Sequence, residues 1–204
     1  MIKVNASTGR VHGARWQPSP NCDERPGGMT PELLVIHCIS LPPRRFGGPF
    51  IDALFTNCLD PGSDPSFCDL ADVNVSAHLL IRRNGAMVQF VSCNQRAWHA
   101  GPSSFGGREA CNDFSIGVEL EGSEDVAYRR AQYLCLTRLY IALVQAYPAL
   151  AANPVVGHSD IAPGRKTDPG PSFDWRQFAL AVGEAGITMP RTPADDPATS
   201  GVTT

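Results

Sequence analysis

Apolar residues recur along the chain with three different periods. Leu33-Leu34-Val35-Ile36 is unbroken and ends in His37, the pattern of a strand buried on both faces. Such a strand delivers its last residue to the C-terminal edge of a sheet, where open α/β sheets place their ligands. Residues 115–122 instead alternate: Ile116, Val118 and Leu120 point one way, Glu119 and Glu121 the other. A carboxylate on so apolar a strand lies at an exposed edge or faces a polar site. Glu121, beside Gly122 at the strand's end, is expected to be exposed, and Glu119 to face a site. From 127 to 147 the period is helical, through Tyr133, Leu136, Tyr140, Leu143, Val144 and Tyr147, with Pro148 just beyond. This predicts a long helix whose aromatic residues are core.

Shorter patterns fill the rest. Residues 75–81 and 86–91 flank Asn84-Gly85 and predict a tight hairpin, with His78 packed inside its first strand. Residues 50–55 read as a short helix and 154–157 as a short strand. Residues 173–184 read as a terminal helix with Asp174 as its cap. Residues 1–32 are polar, carrying Pro18, Pro20, Pro26 and Gly27-Gly28. They predict a short strand or extended arm followed by irregular chain wrapping the core, with His12 solvated or packed and not a ligand. Residues 157–171 hold Pro163, Pro169, Pro171, Gly164 and Gly170, so a loop without helix or strand is expected there. Beyond Gly186 the chain turns Pro-, Thr- and Asp-rich. Residues 1–189 thus form one domain, and 190–204 are expected to be a disordered tail.

At 204 residues the chain is most simply a single α/β domain with a substantial core. Eighteen prolines and 19 glycines favour long ordered loops. A formal charge of −3 and scattered Lys and Arg argue against a nucleic-acid partner. No segment approaches the roughly 18 apolar residues of a membrane span, and no signal peptide follows Met1. Seven single cysteines without a CxxC pair predict reduced thiols in a cytoplasm, not a disulfide framework or a thiolate zinc site. Oligomeric state is not legible.

The chemistry-bearing residues are spread out. The loop from 157 to 171 carries His158, Asp160, Lys166 and Asp168, and taken alone it fits a solvated turn as well as a site. His37 alone fits a hydrogen-bonded core histidine. Trp98-His99 on a Gly/Pro loop fits either a pocket wall, stacking on a ligand, or a buried corner. Two histidines with Asp160 or Asp168 suit catalytic zinc with an open position, but their spacing is long.

A series of ordered motifs narrows this. They are Val35-Ile36-His37 with Ile39-Ser40-Leu41-Pro42-Pro43, Phe46-Gly47-Gly48-Pro49, Val75-Ser76-Ala77-His78, and Arg96-Ala97-Trp98-His99-Ala100-Gly101. Cys111-Asn112-Asp113-Phe114-Ser115, Glu119-Leu120-Glu121-Gly122, Gly157-His158 and Arg165-Lys166-Thr167-Asp168-Pro169-Gly170-Pro171 complete it. Over residues 12–182 the chain resembles the cytosolic N-acetylmuramoyl-L-alanine amidases of the AmpD type, within the zinc amidase and peptidoglycan-recognition superfamily. The resemblance implies a mixed central β-sheet flanked by α-helices, one Zn²⁺ held by His37, His158 and Asp168, and Glu119 with Lys166 as the catalytic pair. It leaves Asp160 to the framework of the loop. It further implies a small-molecule muropeptide substrate met in the cytoplasm during wall recycling, cut between the lactyl group of 1,6-anhydro-N-acetylmuramic acid and L-alanine. Asn74 and Ala110 stand where the resemblance implies arginines, and Cys38 where it implies Asn. Arg108 is therefore the expected replacement contact to a peptide carboxylate, with Arg82 as second choice and Trp98 and His99 as further substrate contacts. Secreted or phage-type amidases share the chemistry. A non-catalytic peptidoglycan-binding module would have lost one of the five residues, and a structural zinc site would need a fourth ligand.

Overall fold

Six strands build the central sheet of this computed structural model, which describes residues 2–190. They are β1 (Arg15–Trp16), β2 (Leu33–Ile39), β3 (Leu79–Ile81), β4 (Met87–Gln89), β5 (Ser115–Glu121) and β6 (Val155–Gly157). Their order is β6-β2-β5-β3-β4-β1. The first four in that order run parallel, β4 is antiparallel to β3, and β1 is parallel to β4, so the sheet is mixed. Apart from Pro190, the tail expected at 190–204 lies outside the described residues.

The unbroken and alternating patterns resolve into the two central strands, which are buried along almost their whole length. Leu34, Ile36, Ile116, Val118 and Leu120 face the long helix α2 (Arg130–Ala146), meeting Leu136, Leu139, Tyr140 and Leu143, with Phe178 of the terminal helix beside them. A lone helix of this length is marginal in water, so the packed face is what holds it. Each fully buried Leu or Ile contributes about 1.5–3 kcal/mol. The other face is covered by the short helix α1 (Phe50–Phe55), through Ile51, Leu54 and Phe55 against Leu80, Val88 and Phe90. Helix α4 (Trp175–Glu184) is capped by Asp174, whose carboxylate accepts from the Gln177 N–H at 2.8 Å.

Three expectations need correction. The hairpin turn is longer than Asn84-Gly85 alone: Arg82 N–H bonds the Ala86 carbonyl, and Gly85 N–H returns to Arg82. Gly85 there has φ 85°, and a side chain on it would meet the Ala131 carbonyl of α2. Helix α2 starts at Arg130, so Tyr128 lies outside it. The stretch after β6 is not wholly irregular, because His158–Ile161 form one helical turn, α3. Its prolines begin only at Pro163, and Asp160 closes the turn by accepting the Gly157 N–H at 2.7 Å.

Candidate active site

Parallel pairing brings three distant residues to one sheet edge. His37 on β2 lies opposite Glu119 on β5, and Gly157 on β6 lies opposite Ile36. His158 therefore emerges beside His37. This is the C-terminal edge of adjacent parallel strands, the position that favours ligand sites. The loop after α3 returns to the same edge with Asp168, whose carbonyl accepts from the Ser159 N–H at 3.0 Å.

His37 Nδ1 and His158 Nδ1 are 3.0 Å apart, and each is 3.2 Å from Asp168 Oδ2. Both histidines are buried and Asp168 is half-buried. His158 Nε2 meets only the Ala100 carbonyl, at 3.1 Å, so it carries the proton and leaves Nδ1 with its lone pair. His37 Nε2 lies 2.9 Å from His99 Nδ1, and His99 Nε2 lies 3.1 Å from Ser115 Oγ. Running the protons along that line, His37 to His99 to Ser115, frees the His37 Nδ1 as well. Burial lowers the pKa of His37 and lowers that of His99 further, so both rings stay neutral.

Three lone pairs thus converge on one point without a proton between them. That arrangement repels itself unless a cation sits at its centre. A tetrahedral site with ligand distances of about 2.0–2.2 Å has edges of roughly 3.3–3.6 Å, close to the separations here. The donor set, two neutral imidazoles and one carboxylate with outer partners on each ring, fits zinc. Asp160 is occupied with the Gly157 N–H and takes no part.

Glu119 is buried next to this cluster, and its Oε2 has no hydrogen-bond partner among the described residues. Burial raises its pKa well above the ordinary value, Asp168 adds to the rise, and the Lys166 ammonium opposes it. Lys166 is exposed and makes no ion pair among the described residues, but it lies close enough to act on both Glu119 and His37.

The residues expected at the substrate have other partners. His99 has both ring nitrogens committed to His37 and Ser115, and it packs on Gly117, where a Cβ would fall 2.5 Å from its ring. It stands behind the cluster and does not line a pocket wall with a free nitrogen. Trp98 lies near the Asp23 carboxylate and, after Arg96, helps hold it below the ordinary range. Arg108 pairs with Glu32 at 2.6 Å and lies over the Phe114 ring at 3.9 Å. Arg82 bridges Asp52 at 2.6 Å and Glu121 at 2.9 Å. Glu121, expected to be exposed, is 1% exposed and accepts also from the Gly47 and Arg83 N–H groups. His78 is a packing histidine as expected, accepting from the Gly117 N–H and facing the Gln95 carbonyl.

Sequence reading missed several supporting groups. Arg25 is buried and donates to the carbonyls of Asn112, Asp113, Cys93 and Ser115; burial lowers its pKa to about 10. Asn112 Oδ1 accepts from both the His99 and Ala100 N–H groups. Arg165 donates to the Ala100 carbonyl that also holds His158, and to Pro102. Asn112 and Arg165 lay within motif stretches, while Arg25 carried no signal at all, since an arginine in a polar segment does not advertise its acceptors.

Comparison with known proteins agrees with this geometry. Residues 27–171 match the family described as N-acetylmuramoyl-L-alanine amidase (Amidase_2). The chain is 57% identical over 174 residues to the 1,6-anhydro-N-acetylmuramyl-L-alanine amidase AmpD of Escherichia coli (strain K12), covering 85% of this chain and 94% of that protein. It superposes on the crystal structure of a selenomethionine AmpD derivative with a TM-score of 0.85 at 55% identity, covering 88% of this chain and 98% of that one. It also resembles AmpDh3 from Pseudomonas aeruginosa in complex with anhydromuramic pentapeptide, with a TM-score of 0.56 at 32% identity, covering 80% of this chain and 62% of that one. With a family match over most of its length and relatives above 50% identity covered almost in full, this chain belongs to the N-acetylmuramoyl-L-alanine amidase family.

Proposed function

We propose that the chain hydrolyses the amide joining the lactyl carbonyl of 1,6-anhydro-N-acetylmuramic acid to L-alanine, with one zinc ion held by His37, His158 and Asp168. The observation that carries this is an unpartnered, buried Glu119 oxygen beside three converging, proton-free ligand atoms. The names of relatives at up to 58% identity support the anhydro sugar as substrate.

A bound zinc supplies Lewis acidity toward a carbonyl and toward water. The chain's own residues do the rest. Glu119 Oε2 takes a proton from the attacking water as its oxygen bonds to the lactyl carbon. Burial raises its pKa above the ordinary carboxylate range, which favours holding that proton until it is delivered to the alanine nitrogen as the C–N bond breaks. The products are a lactyl carboxylate and a free amine. The Lys166 ammonium faces the oxygen on which negative charge develops; one such donor is worth about 10²–10³ in rate. Burial of the cluster keeps bulk water from competing for these charges.

The reading also assigns the enzyme to the cytoplasm, in peptidoglycan recycling. No helix among the described residues is long and apolar enough to cross a membrane. All seven cysteines are unpaired, which suits a reducing compartment.

The test is release of the L-alanyl peptide from an anhydromuramoyl tripeptide. Dialysis against a chelator should abolish turnover, and stoichiometric zinc should restore it. Full activity after complete metal removal would sink the metal assignment. Equal turnover of ordinary and anhydro muropeptides would remove the sugar preference.

A further inference from the structure

Asp168 is the only one of the three ligand residues that comes from a loop, and no strand sets its position. What holds that loop is therefore part of the site. On one side the hold comes from β6 and α3: Ser159 N–H bonds the Asp168 carbonyl, and Gly157 leaves room for Pro169, whose Cδ a Cβ there would meet at 2.7 Å.

The other side is held by the segment that leaves β5. Glu124 Oε1 accepts from the Thr167 hydroxyl at 2.6 Å, and the Glu124 carbonyl accepts from the Ser172 N–H at 3.1 Å. Gly170 rests against the Glu124 side chain, where any Cβ would overlap it. The Tyr128 hydroxyl, buried, donates to the Pro169 carbonyl at 2.8 Å, and Gly122 makes the space for the Tyr128 ring. Side-chain and backbone bonds thus bracket Asp168 from Thr167 to Ser172. Their partners begin five residues after Glu119 on the same run of chain.

We infer that Glu124 and Tyr128 are positioning residues for Asp168, clamping its loop so that the carboxylate stays between His37 and His158 whether or not a metal is present. This rests on the proposed metal site and adds to it a mechanism for preorganisation. Groups that orient a ligand from outside the coordination sphere alter metal affinity by about 10–100-fold when removed. The clamp also ties the strand that carries the general base to the loop that carries the ligand, so one segment sets the separation between them.

The experiment measures zinc affinity by chelator competition, alongside the thermal midpoint of the metal-free protein. Thr167 is exposed, so Thr167→Val should fold normally, keep the metal-free midpoint, and bind zinc about 10–100-fold more weakly. Thr167→Ser and Glu124→Gln, which retain the hydroxyl and the acceptor oxygen, should restore wild-type affinity. Tyr128→Phe should weaken zinc binding independently, since it removes the bond to Pro169 and leaves the Thr167–Glu124 bond in place. Wild-type affinity in both Thr167→Val and Tyr128→Phe would overturn the clamp, as would a Thr167→Ser loss equal to that of Thr167→Val. A wild-type protein that takes up no zinc would overturn the metal site itself, and the clamp with it.

Discussion

Glu119 and Glu121 are the same residue type on the same face of the same strand, two positions apart, and both are buried. Their surroundings make them opposites. Glu121 is saturated by Arg82 and by two backbone N–H groups from separate loops, and it ties those loops to the end of the sheet. Glu119 has an oxygen with no partner, next to two histidines and an aspartate. A buried carboxylate satisfied on every side stabilises the fold. One left unsatisfied costs stability and is free to exchange a proton. The contrast shows that burial and sequence pattern do not separate a structural acid from a reactive one; the inventory of donors does.

The largest expected effect breaks this comparison at the reactive member. Glu119→Gln should keep its zinc and its fold while turnover falls by about 10²–10⁴, because an amide cannot accept the proton from water. Metal content and rate measured on the same sample check this. A variant with full zinc and near-normal turnover would show that another group serves as base.

Glu121→Ala should do the reverse. It leaves Arg82 with Asp52 alone and strips two N–H groups of their acceptor, and removing one partner of a buried pair costs about 3–5 kcal/mol. Denaturant unfolding should show that loss while the rate per folded molecule changes little. A catalytic defect without a stability defect would erase the distinction between the two residues.

The smallest effect sharpens the contrast through pH. Glu119 has a folded pKa well above its ordinary 4.5, so between those values the folded state holds a proton that the unfolded state has lost. That stabilisation is present below about pH 4.5 and disappears as pH rises through the folded pKa. In metal-free protein the midpoint of Glu119→Gln should therefore gain on wild type as pH rises above 4.5. His78 works in the opposite direction. Burial lowers its pKa from 6.5 to about 3, with Arg25 assisting, so the unfolded state takes up the proton first. Its contribution is fully present above pH 6.5 and falls by about 1.4 kcal/mol per unit below it. Wild type and Glu119→Gln should coincide below about pH 4.5 and diverge above it, superimposed on this shared His78 slope. Parallel curves throughout would mean that Glu119 is not perturbed.

How much was legible beforehand depends on the range of the forces involved. Strands β2 and β5, helices α1, α2 and α4, and the hairpin were readable because each has a period or a turn signal within a few residues. The cluster of His37, His158 and Asp168 was readable only in part. His37 was placed at a sheet edge by its own apolar run, but its neighbourhood with His158 came through the resemblance, since 121 residues separate them. The errors fell where partners lie far away in sequence. Glu121 was misread because Arg82 is 39 residues distant, and the pairing of Arg108 with Glu32, 76 residues away, was not legible either.

The sequence by itself determined the periodicities, and through them which strand faces are apolar and which residues each strand delivers to its end. It also carried the ordered motifs that mark the family. Only the tertiary structure decided which polar side chains are used up in holding the fold and which are left to react. A side chain's type and local pattern set whether it is buried, but its hydrogen-bond partners are drawn from segments that only parallel pairing and loop closure bring within 3 Å. Glu119 and Asp168 are poised for that reason: one lacks a donor, and the other is held in place by a loop clamped from both sides.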